Sequence, residues 1–486
     1  MSDNTADIVI ENAVVIDGTG APGMPGGIAV SADRIAAVGD VSDIKAEHRI
    51  DAGGHVVAPG FIDCHTHDDR VLLDDPAMAC KVTQGVTTVV AGNCGVSLAP
   101  FLPADDWDMP VPMALLGGKT QYRFPTFDAY AQAFARGPAA VNAAMLCGHN
   151  TLRAEAMQGD VKRPATDAEI ARMRDKVRDT MQAGAIGVSS GLMYPAGFDA
   201  PTSEVAALAE EAGKFGGLYA THLRDEAEKL VDSVEEAAEI GRAGGVPVVL
   251  SHHKITGRHN WGGTKLSLKR IEQLAEGQTI HFDVYPYVAS ATALMVDRIS
   301  VAEKVLIVAS DTHPRTAGWY LHDIAEEWGM SQAEAAEELL PAQAIYFAMD
   351  EDDVRRVLAH PRAMVGSDGI PGTDAPHPRL WGTFPRVLGY YARQEKLFPL
   401  ETAVHKMTGH TAAVFGFRDR GVLEAGAIAD ITVFDPETVL DRATFEKPTT
   451  PSDGIAHVIV GGEVVLENGR QTPARPGQLV RREAGI

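Results

Sequence analysis

The stretch Gly60-Phe61-Ile62-Asp63-Cys64-His65-Thr66-His67 is a short apolar run that ends in two histidines. Four other segments have the same form, in that small or apolar residues lead into a side chain able to bind metal. They are Ala91-Gly92-Asn93-Cys94-Gly95, Tyr219-Ala220-Thr221-His222, Val249-Leu250-Ser251-His252-His253 and Val365-Gly366-Ser367-Asp368. Short apolar runs of this kind are typical of buried parallel strands. In a β/α barrel the loops after the strands face one cleft, so the five segments predict one metal site.

The pattern between residues 60 and 415 alternates short apolar strands with helical stretches. From Asp167 to Ala183 apolar residues recur at helical spacing, and Thr166 before them is suited to an N-cap. We expect further helices at Glu204–Phe215 and Val231–Ala243. This alternation predicts an α/β fold of the TIM-like (β/α)8 barrel type, which we assign to residues 60–415.

Both ends of the chain instead show the alternation and the glycine turns of β-strands. Residues 1–59 contain apolar runs separated by glycines, and residues 416–486 contain a Gly461-Gly462 pair that predicts a hairpin. We expect the two segments to form a small β-sandwich domain beside the barrel. Residues 300–347 fit the barrel less simply, and we favour an insertion over the cleft rather than ordinary barrel helices.

Composition and charge disfavour several classes of function. With 66 acidic against 43 basic residues, the chain has a formal net charge of −23, which argues against nucleic acid or an anionic membrane as partner. No uncharged apolar stretch approaches the length of a membrane span, and the polar segment Met1–Asp7 is unlike a signal peptide. Four cysteines in 486 residues do not make a disulfide framework. We therefore expect a cytoplasmic protein that acts on a small molecule.

The histidines differ in how far spacing alone defines their roles. His65 and His67 flank one residue, so on an extended strand both imidazoles point to the same face and can chelate one cation. A lone histidine at such a place is more often a satisfied core residue. His252 and His253 are direct neighbours, so only one of them reaches a metal easily. Spacing leaves the choice between these two open.

The segment Pro59–His67 resembles the first-strand signature of the amidohydrolase superfamily, zinc-dependent hydrolases of amides and related bonds. A closer resemblance, covering nearly the whole chain, is to the N-acyl-D-amino-acid deacylases. It rests on the motifs Gly92–Gly95, Ser189–Tyr194, Thr221–Glu226, Ser251–Lys254 and Pro376–Gly389. The activity implied by this resemblance is hydrolysis of the amide bond of an N-acyl-D-amino acid to a carboxylate and a free D-amino acid.

The resemblance also implies a set of metal ligands. They are His65, His67, Cys94, His222 and His252. One zinc ion would be held tightly by the thiol and the last two histidines, with a second, weaker site at the histidine pair of the first strand. Cys94 would replace the carboxylated lysine of hydantoinase-like relatives, since Ala185–Ser190 offers no lysine. The same alignment selects His252 over His253, and a thiolate with imidazoles suits zinc.

Two residues are implied to carry the chemistry. Asp368 would act as general base, taking a proton from water and returning it to the departing amine nitrogen. Taken alone, Ser-Asp-Gly would also fit a helix N-cap. Tyr194 is implied to donate a hydrogen bond to the scissile carbonyl as negative charge develops on its oxygen.

An N-acyl amino acid carries a free carboxylate, so its pocket requires cations. The resemblance gives this role to Lys254, Tyr285 and Arg379, the last suited to bidentate recognition. Arg298 has two interpretations. It could pair with the side-chain carboxylate of an N-acyl-D-glutamate or D-aspartate, or it could be structural beneath an apolar substrate side chain.

Two other functions compete with the deacylase hypothesis. One is hydantoinase-like hydrolysis of a cyclic amide, against which the missing lysine and the presence of Lys254 and Arg379 argue. The other is an inactive scaffold, which would be free to lose ligands, whereas here every expected ligand is present. The sequence leaves open the side-chain and acyl preferences, the occupancy of the second metal site and the oligomeric state.

Overall fold

The computed structural model describes residues 5–104, 107, 109–373 and 375–482; the first four residues of the segment compared with signal peptides lie outside them. The strands, in chain order, are β1 (Thr5–Val15), β2 (Met24–Ser31), β3 (Arg34–Gly39), β4 (Lys45–Asp51), β5 (Val56–Pro59), β6 (Phe61–Asp63), β7 (Val86–Ala91), β8 (Asn142–Gly148), β9 (Gly187–Gly191), β10 (Leu218–His222), β11 (Val248–Leu250), β12 (Ile280–Val284), β13 (Ala289–Ala293), β14 (Lys304–Ser310), β15 (Ala342–Phe347), β16 (Ala363–Val365), β17 (Ile431–Phe434), β18 (Ile455–Val460), β19 (Glu463–Glu467) and β20 (Arg470–Gln471).

The α-helices, also in chain order, are α1 (Val71–Asp74), α2 (Ala79–Val82), α3 (Phe127–Arg136), α4 (His149–Ala156), α5 (Asp167–Gln182), α6 (Pro195–Phe198), α7 (Thr202–Gly213), α8 (Leu230–Gly244), α9 (Thr264–Ala275), α10 (Leu321–Trp328), α11 (Gln332–Leu339), α12 (Glu351–Ala359), α13 (Arg379–Arg386), α14 (Leu400–Met407) and α15 (Gly409–Phe415). The predicted cap of α5 is present, because the Thr166 side chain accepts the N–H of Glu169, whose carboxylate accepts the N–H of Thr166 in return. None of these helices combines the length and the apolar character that crossing a bilayer requires.

Eight parallel strands of the described chain form the barrel. Their order is β6, β7, β8, β9, β10, β11, β12 and β16, each paired with the next. Within the described ranges no ladder joins β16 back to β6. A single parallel bridge between Thr66 and Gly369 spans this gap, just beyond the ends of the two strands. The predicted TIM-like barrel is confirmed, and it is nearly closed.

A second sheet is built from both ends of the chain. Its order is β20, β19, β18, β17, β5, β1, β2 and β3, with β4 beside β1. The two ends meet where β17 runs antiparallel to β5, for example at Val433 opposite Val57. The predicted hairpin is also present, because Val460 and Glu463 are paired across Gly461 and Gly462.

An antiparallel three-stranded sheet lies between β12 and β16 in the chain, in the order β13, β15, β14. It packs on α10 and α11 through apolar side chains that include Ile307, Ile324 and Leu339. This unit begins at Ala289, earlier than the segment 300–347 proposed from the sequence, because its first strand is a short, small-residue stretch without a strong pattern. The turn Val296–Val301 belongs to it.

Candidate metal centre

The predicted metal ligands and Asp368 share one location, the carboxyl ends of the barrel strands. In the order β6, β7, β10, β11 and β16, the strands lead into His65 and His67, Cys94, His222, His252, and Asp368. All of these side chains are buried. The structure therefore brings together side chains that are far apart in the sequence, at the end of the barrel where active sites of this fold lie.

Cys94 lies in the middle of the cluster. Its Sγ is 3.3 Å from His65 Nε2 and 3.5 Å from His252 Nε2. Burial disfavours a thiolate, but the charges of His65 and His252 and a hydrogen bond from His252 outweigh it and hold the pKa of the Cys94 thiol well below its usual value. The thiolate is the form of cysteine that binds metal ions.

Two overlapping groups of side chains could each hold a metal ion. The first comprises His65, Cys94, His252 and Asp368, the second His222, Glu226 and His252, and the candidate ligand atoms in each group lie within 4.8 Å of one another. Both ring nitrogens of His222 are buried without a hydrogen-bond partner among the described residues. Its Nε2 is 3.5 Å from Glu226 Oε2, but the contact is not aligned as a hydrogen bond. Buried imidazole nitrogens beside a thiolate fit zinc.

Asp368 faces the histidine pair of the first strand. Its Oδ1 lies 3.4 Å from His65 Nε2 and 3.3 Å from His67 Nε2. Burial opposes ionisation, but the charges of Arg379, His252 and His65 outweigh it and hold the pKa of the Asp368 carboxyl well below its usual value. The carboxylate is therefore ionised beside the cluster. Asp368 is not a helix N-cap, because no described helix begins at this residue.

Of the two adjacent histidines, His252 joins the cluster and His253 does not. His253 Nε2 lies 2.9 Å from Ser267 Oγ, and its ring packs on Phe282 with the centroids 5.3 Å apart. Burial and the nearby charge of Lys254 lower the pKa of His253 to about 3. His253 is therefore an uncharged side chain of the barrel wall, outside the cluster.

Two buried carboxylates that the sequence analysis did not single out orient the histidines. Asp283, in β12, lies 3.1 Å from His65 Nδ1 and accepts the N–H of His252 at 2.9 Å. Glu226 lies 3.1 Å from His252 Nδ1. Carboxylates at the second nitrogen of a ligating histidine fix the orientation of its ring. Both had a signal, since Asp283 is an acidic residue inside an apolar strand and Glu226 ends the motif Thr221–Glu226.

The two cations expected to meet a substrate carboxylate already have internal partners. Lys254 Nζ is 2.6 Å from Glu226 Oε1, and Arg379 Nη1 is 2.9 Å from Asp368 Oδ2. Tyr285 lies with them, its ring centroid 4.5 Å from the Arg379 Cζ and 5.7 Å from the Lys254 Nζ. The three residues are thus together beside the cluster. They do not present bare cations, because buried charges require partners.

Tyr194 and Arg298 lie where the inserted sheet meets the cluster. The Tyr194 ring centroid is 4.9 Å from that of His222, and its hydroxyl is 3.0 Å from Thr292 Oγ1 in β13. Arg298 contacts the sulfur of Met193, the residue before Tyr194. The insertion therefore contributes side chains to this edge of the site.

Three residues of the site have left-handed backbone conformations, with φ of 53° at Cys94, 37° at His252 and 48° at Asp368. Such conformations cost a non-glycine residue about 1–3 kcal/mol and persist where the surroundings hold them. The loop of Cys94 also requires its glycine, since a Cβ on Gly95 would lie 2.0 Å from Asn150 Oδ1.

A buried carboxylate holds the backbone at each of these three places. Asp69 accepts the N–H groups of Gly92 and Leu98, both at 3.2 Å, on either side of the strained cysteine. The N–H of His252 donates a hydrogen bond to Asp283 at 2.9 Å. Asp63 accepts the N–H of Ser367 at 2.8 Å, next to the strained aspartate. Each strained backbone segment is therefore held by hydrogen bonds to a buried carboxylate.

A nearly closed β/α barrel with a buried cysteine and histidine cluster at its carboxyl end defines a metal-dependent amidohydrolase. The sequence profile described as "Amidohydrolase family" matches residues 49–466. The chain is 49% identical over 478 residues to the D-aminoacylase of Alcaligenes xylosoxydans xylosoxydans, covering 98% of each protein. It is 46% identical over 476 residues to the N-acyl-D-aspartate deacylase of the same organism, covering 98% of this chain and 95% of that protein.

A solved structure gives the same picture. The N-acyl-D-glutamate deacylase from Bordetella bronchiseptica, complexed with zinc and a phosphonate inhibitor, matches with a TM-score of 0.95 and 45% identity, covering 98% of this chain and 100% of that one. The chain therefore belongs to the amidohydrolase family, in its N-acyl-D-amino-acid deacylase branch, as the motifs predicted.

Proposed function

We propose that this protein hydrolyses the amide bond of N-acyl-D-amino acids, releasing a carboxylate and a free D-amino acid, with zinc as its cofactor. The observation that carries the proposal is the juxtaposition of the Cys94 cluster, the Asp368 carboxylate and the cationic pair Lys254 and Arg379. A hydrolase of N-acyl amino acids requires these three elements, one each for the metal, the proton and the substrate carboxylate.

We assign zinc to the cluster because the donor set suits it. The tightly bound ion would use Cys94, His222 and His252, and a weaker second site would use His65 and His67. The two free nitrogens of buried His222 support the first assignment. When bound, zinc supplies a Lewis acid that polarises the scissile carbonyl and lowers the pKa of water to about 7.

Proton transfer is assigned to Asp368. Its carboxylate is buried beside the histidine pair, where it can accept a proton from the attacking water and return it to the amine nitrogen as the amide bond breaks. Tyr194 would donate its hydroxyl hydrogen to the carbonyl oxygen as charge develops there. In the described part of the chain that hydroxyl has a single neutral partner, Thr292, which a substrate oxygen can replace.

Arg379, Lys254 and Tyr285 are assigned to the substrate carboxylate. Arg379 has an Nε without a hydrogen-bond partner among the described residues, so one donor of its fork remains available in addition to the one facing Asp368. The aromatic ring of Tyr285 packs against the guanidinium and limits its movement. A D configuration is proposed because the D-aminoacylase and N-acyl-D-aspartate deacylase relatives are named for D substrates.

We propose that the residues around Arg298 determine which substrate side chain is preferred. This residue has no carboxylate within ion-pair distance among the described residues, and it contacts Met193. A substrate with an acidic side chain would give Arg298 a partner, whereas an apolar side chain would pack on the methionine. The ratio of rates for N-acetyl-D-glutamate and N-acetyl-D-methionine separates these two cases.

Hydantoinase-like hydrolysis of a cyclic amide is not favoured by any specific observation. The strand β9 (Gly187–Gly191), where those relatives carry a bridging lysine, has none, and Cys94 supplies the anionic ligand instead.

The four cysteines are unpaired thiols, which suits the reducing cytoplasm, where we expect the enzyme to act on small molecules.

The test is the initial rate of hydrolysis of N-acetyl-D and N-acetyl-L methionine, leucine and glutamate by the zinc-supplemented protein. Selective cleavage of the D substrates supports the proposal. Cleavage of neither enantiomer, together with turnover of hydantoins, would replace it with the cyclic-amide function. Zinc content is measured on the same preparation, purified without chelator, since a protein without metal would contradict both functions.

A further inference from the structure

The backbone at Asp368 needs an external support. Its left-handed conformation (φ 48°) is one that an aspartate adopts at a cost, and it lies in the gap where no ladder joins β16 to β6 in the described chain. The N–H of Asp368 donates to His65 O at 2.8 Å, so the base and a histidine of the cluster share one backbone contact. The residues on either side of Asp368 must supply the remaining constraint.

Ser367 supplies it through both its backbone and its hydroxyl. Its N–H donates to Asp63 Oδ1 at 2.8 Å. Its Oγ accepts a hydrogen bond from Lys81 Nζ at 3.0 Å and another from the N–H of Gly369 at 3.1 Å. Gly369 O in turn accepts the N–H of His67 at 3.1 Å. One serine therefore connects the segment around the base to the segment that carries the histidine pair.

The ammonium group of Lys81 holds the Ser367 hydroxyl in place through a hydrogen bond. Its ammonium is fully buried and lies 2.8 Å from Asp63 Oδ2 and 3.2 Å from Asp68 Oδ2. A buried ammonium with two carboxylates and a hydroxyl around it has no freedom to turn elsewhere without leaving charges unpaired. None of these contacts is to a proposed metal ligand side chain, so the lysine acts on the loops and leaves the metal to the histidines and the cysteine.

We propose that Asp63, Lys81 and Ser367 form a clamp that positions the Asp368 carboxylate for proton transfer by holding the last strand of the barrel against the first. The inference rests on the proposed function in taking Asp368 as the base. The three are positioning residues, because they act through the backbone on either side of Asp368 and do not reach the substrate site themselves. The clamp replaces, with side chains, the ladder that β6 and β16 lack.

Ser367→Ala tests the clamp with little change in volume. Ser251→Ala is the matched control, since Ser251 is also a buried serine directly before a strained site residue, His252, but its hydroxyl has no partner among the described residues. We expect Ser367→Ala to lower kcat about 10- to 100-fold, because a misplaced catalytic group loses orientation. KM and zinc content should stay close to the parent values, Tm should fall because the buried Lys81 ammonium and the Gly369 N–H lose their hydroxyl acceptor, and Ser251→Ala should match the parent throughout.

A readout that does not depend on the substrate is the crystal structure of both variants and the parent. In Ser367→Ala we expect the Asp368 backbone to leave the left-handed region and its carboxylate to move away from the Nε2 atoms of His65 and His67. A kcat within twofold of the parent, a loss that follows zinc content or KM, or an unmoved Asp368 would overturn the clamp. An inactive parent would refute the proposed function. In that case the crystal structures of the variants would still test the clamp.

Asp63→Asn provides a second variant if Ser367→Ala is poorly folded. It keeps an oxygen for the N–H of Ser367 but removes the charge that faces Lys81. We expect a smaller fall in kcat in the same direction, again at constant zinc content and KM. An unchanged kcat in a folded Asp63→Asn protein counts against the clamp.

Discussion

Arg379 and Asp368 form a buried ion pair in which Nη1 lies 2.9 Å from Oδ2. Arg379 is proposed to bind the substrate carboxylate, and Asp368 is proposed to transfer the proton of the attacking water. They are in contact before any substrate arrives, and the guanidinium contributes to the lowered pKa of the carboxyl. With these proposed roles, substrate recognition and proton transfer would depend on one shared contact.

This contact predicts a defined phenotype for Arg379→Lys. The lysine keeps the charge but loses the planar fork, so we expect KM for N-acetyl-D-amino acids to rise at least about tenfold. Arg386→Lys is the matched control. Arg386 lies in the same helix, pairs with Asp441 and stacks on Tyr287, but it does not contact the cluster. Steady-state kinetics of both variants check the prediction, and equal effects on KM would contradict it.

The thiol at Cys94 can be tested by its removal. We expect Cys94→Ala to lose most of its zinc and nearly all of its turnover while remaining folded, because the barrel core does not depend on the metal. Cys147→Ala is the control, since Cys147 is a buried thiol of β8 whose pKa burial raises to about 12. Metal analysis and circular dichroism give the answer. Full zinc content in Cys94→Ala would remove Cys94 from the ligand set.

Asp368→Asn should separate metal binding from catalysis. The amide cannot accept the proton of water, so we expect turnover to fall by a factor of about 10²–10⁴. Zinc should remain, since the proposed tight site uses other residues. The measurement is kcat together with zinc stoichiometry. If the rate survives in the asparagine variant, the base lies elsewhere.

Glu226 should tune the affinity for zinc through His252. Removing its charge in Glu226→Gln weakens the hold on the ring orientation, and we expect the dissociation constant of zinc to rise about 10- to 100-fold. Glu228→Gln is the control, because Glu228 lies nearby in the chain but is 61% exposed and pairs with His259. Competition with a chelator measures both variants. Identical zinc affinities would show that Glu226 does not act on the metal site.

A prediction about pH concerns Glu211, far from the site. Burial raises the pKa of this carboxyl, but hydrogen bonds from Lys214, Arg178 and Arg174 outweigh the effect and lower the pKa to about 2 from a usual 4.5. Its contribution to stability is therefore fully present above about pH 4.5 and is lost as the pH falls towards about 2.

We expect Glu211→Gln to lower Tm at about pH 7 and to differ less from the parent near pH 3. The neighbouring Glu210, which is 53% exposed, provides the control as Glu210→Gln. Calorimetry at several pH values makes the comparison. A difference that is constant with pH would mean that the charge of Glu211 does not stabilise the fold.

The clustering of the candidate ligands was predictable from sequence because each of them lies at or shortly after the end of an apolar run. His222 ends a strand, and Cys94 and Asp368 follow strands within a few residues. The contacts of Lys81 were not predictable. It lies in a single-turn helix without a motif, and its partners Asp63 and Ser367 are 18 and 286 residues away.

Backbone strain and ion pairing also could not be predicted from sequence patterns. No sequence pattern indicated that Cys94 and Asp368 themselves adopt the left-handed conformation. Likewise, the cationic character of Lys254 and Arg379 was evident, whereas their pairing with Glu226 and Asp368 depends on how separate loops meet. The inserted sheet was located too late in the chain because the strand Ala289–Ala293 has only small residues to identify it.

The pairing of β5 with β17 has a consequence for how the protein is made. Strand β5 (Val56–Pro59) leaves the ribosome early, but its partner β17 (Ile431–Phe434) follows only after the entire barrel has been synthesised. Until then the nascent β1–β5 segment has an open edge of the kind that favours aggregation. Contacts so distant along the chain also slow folding. The sheet that begins first in translation is therefore the last to be completed.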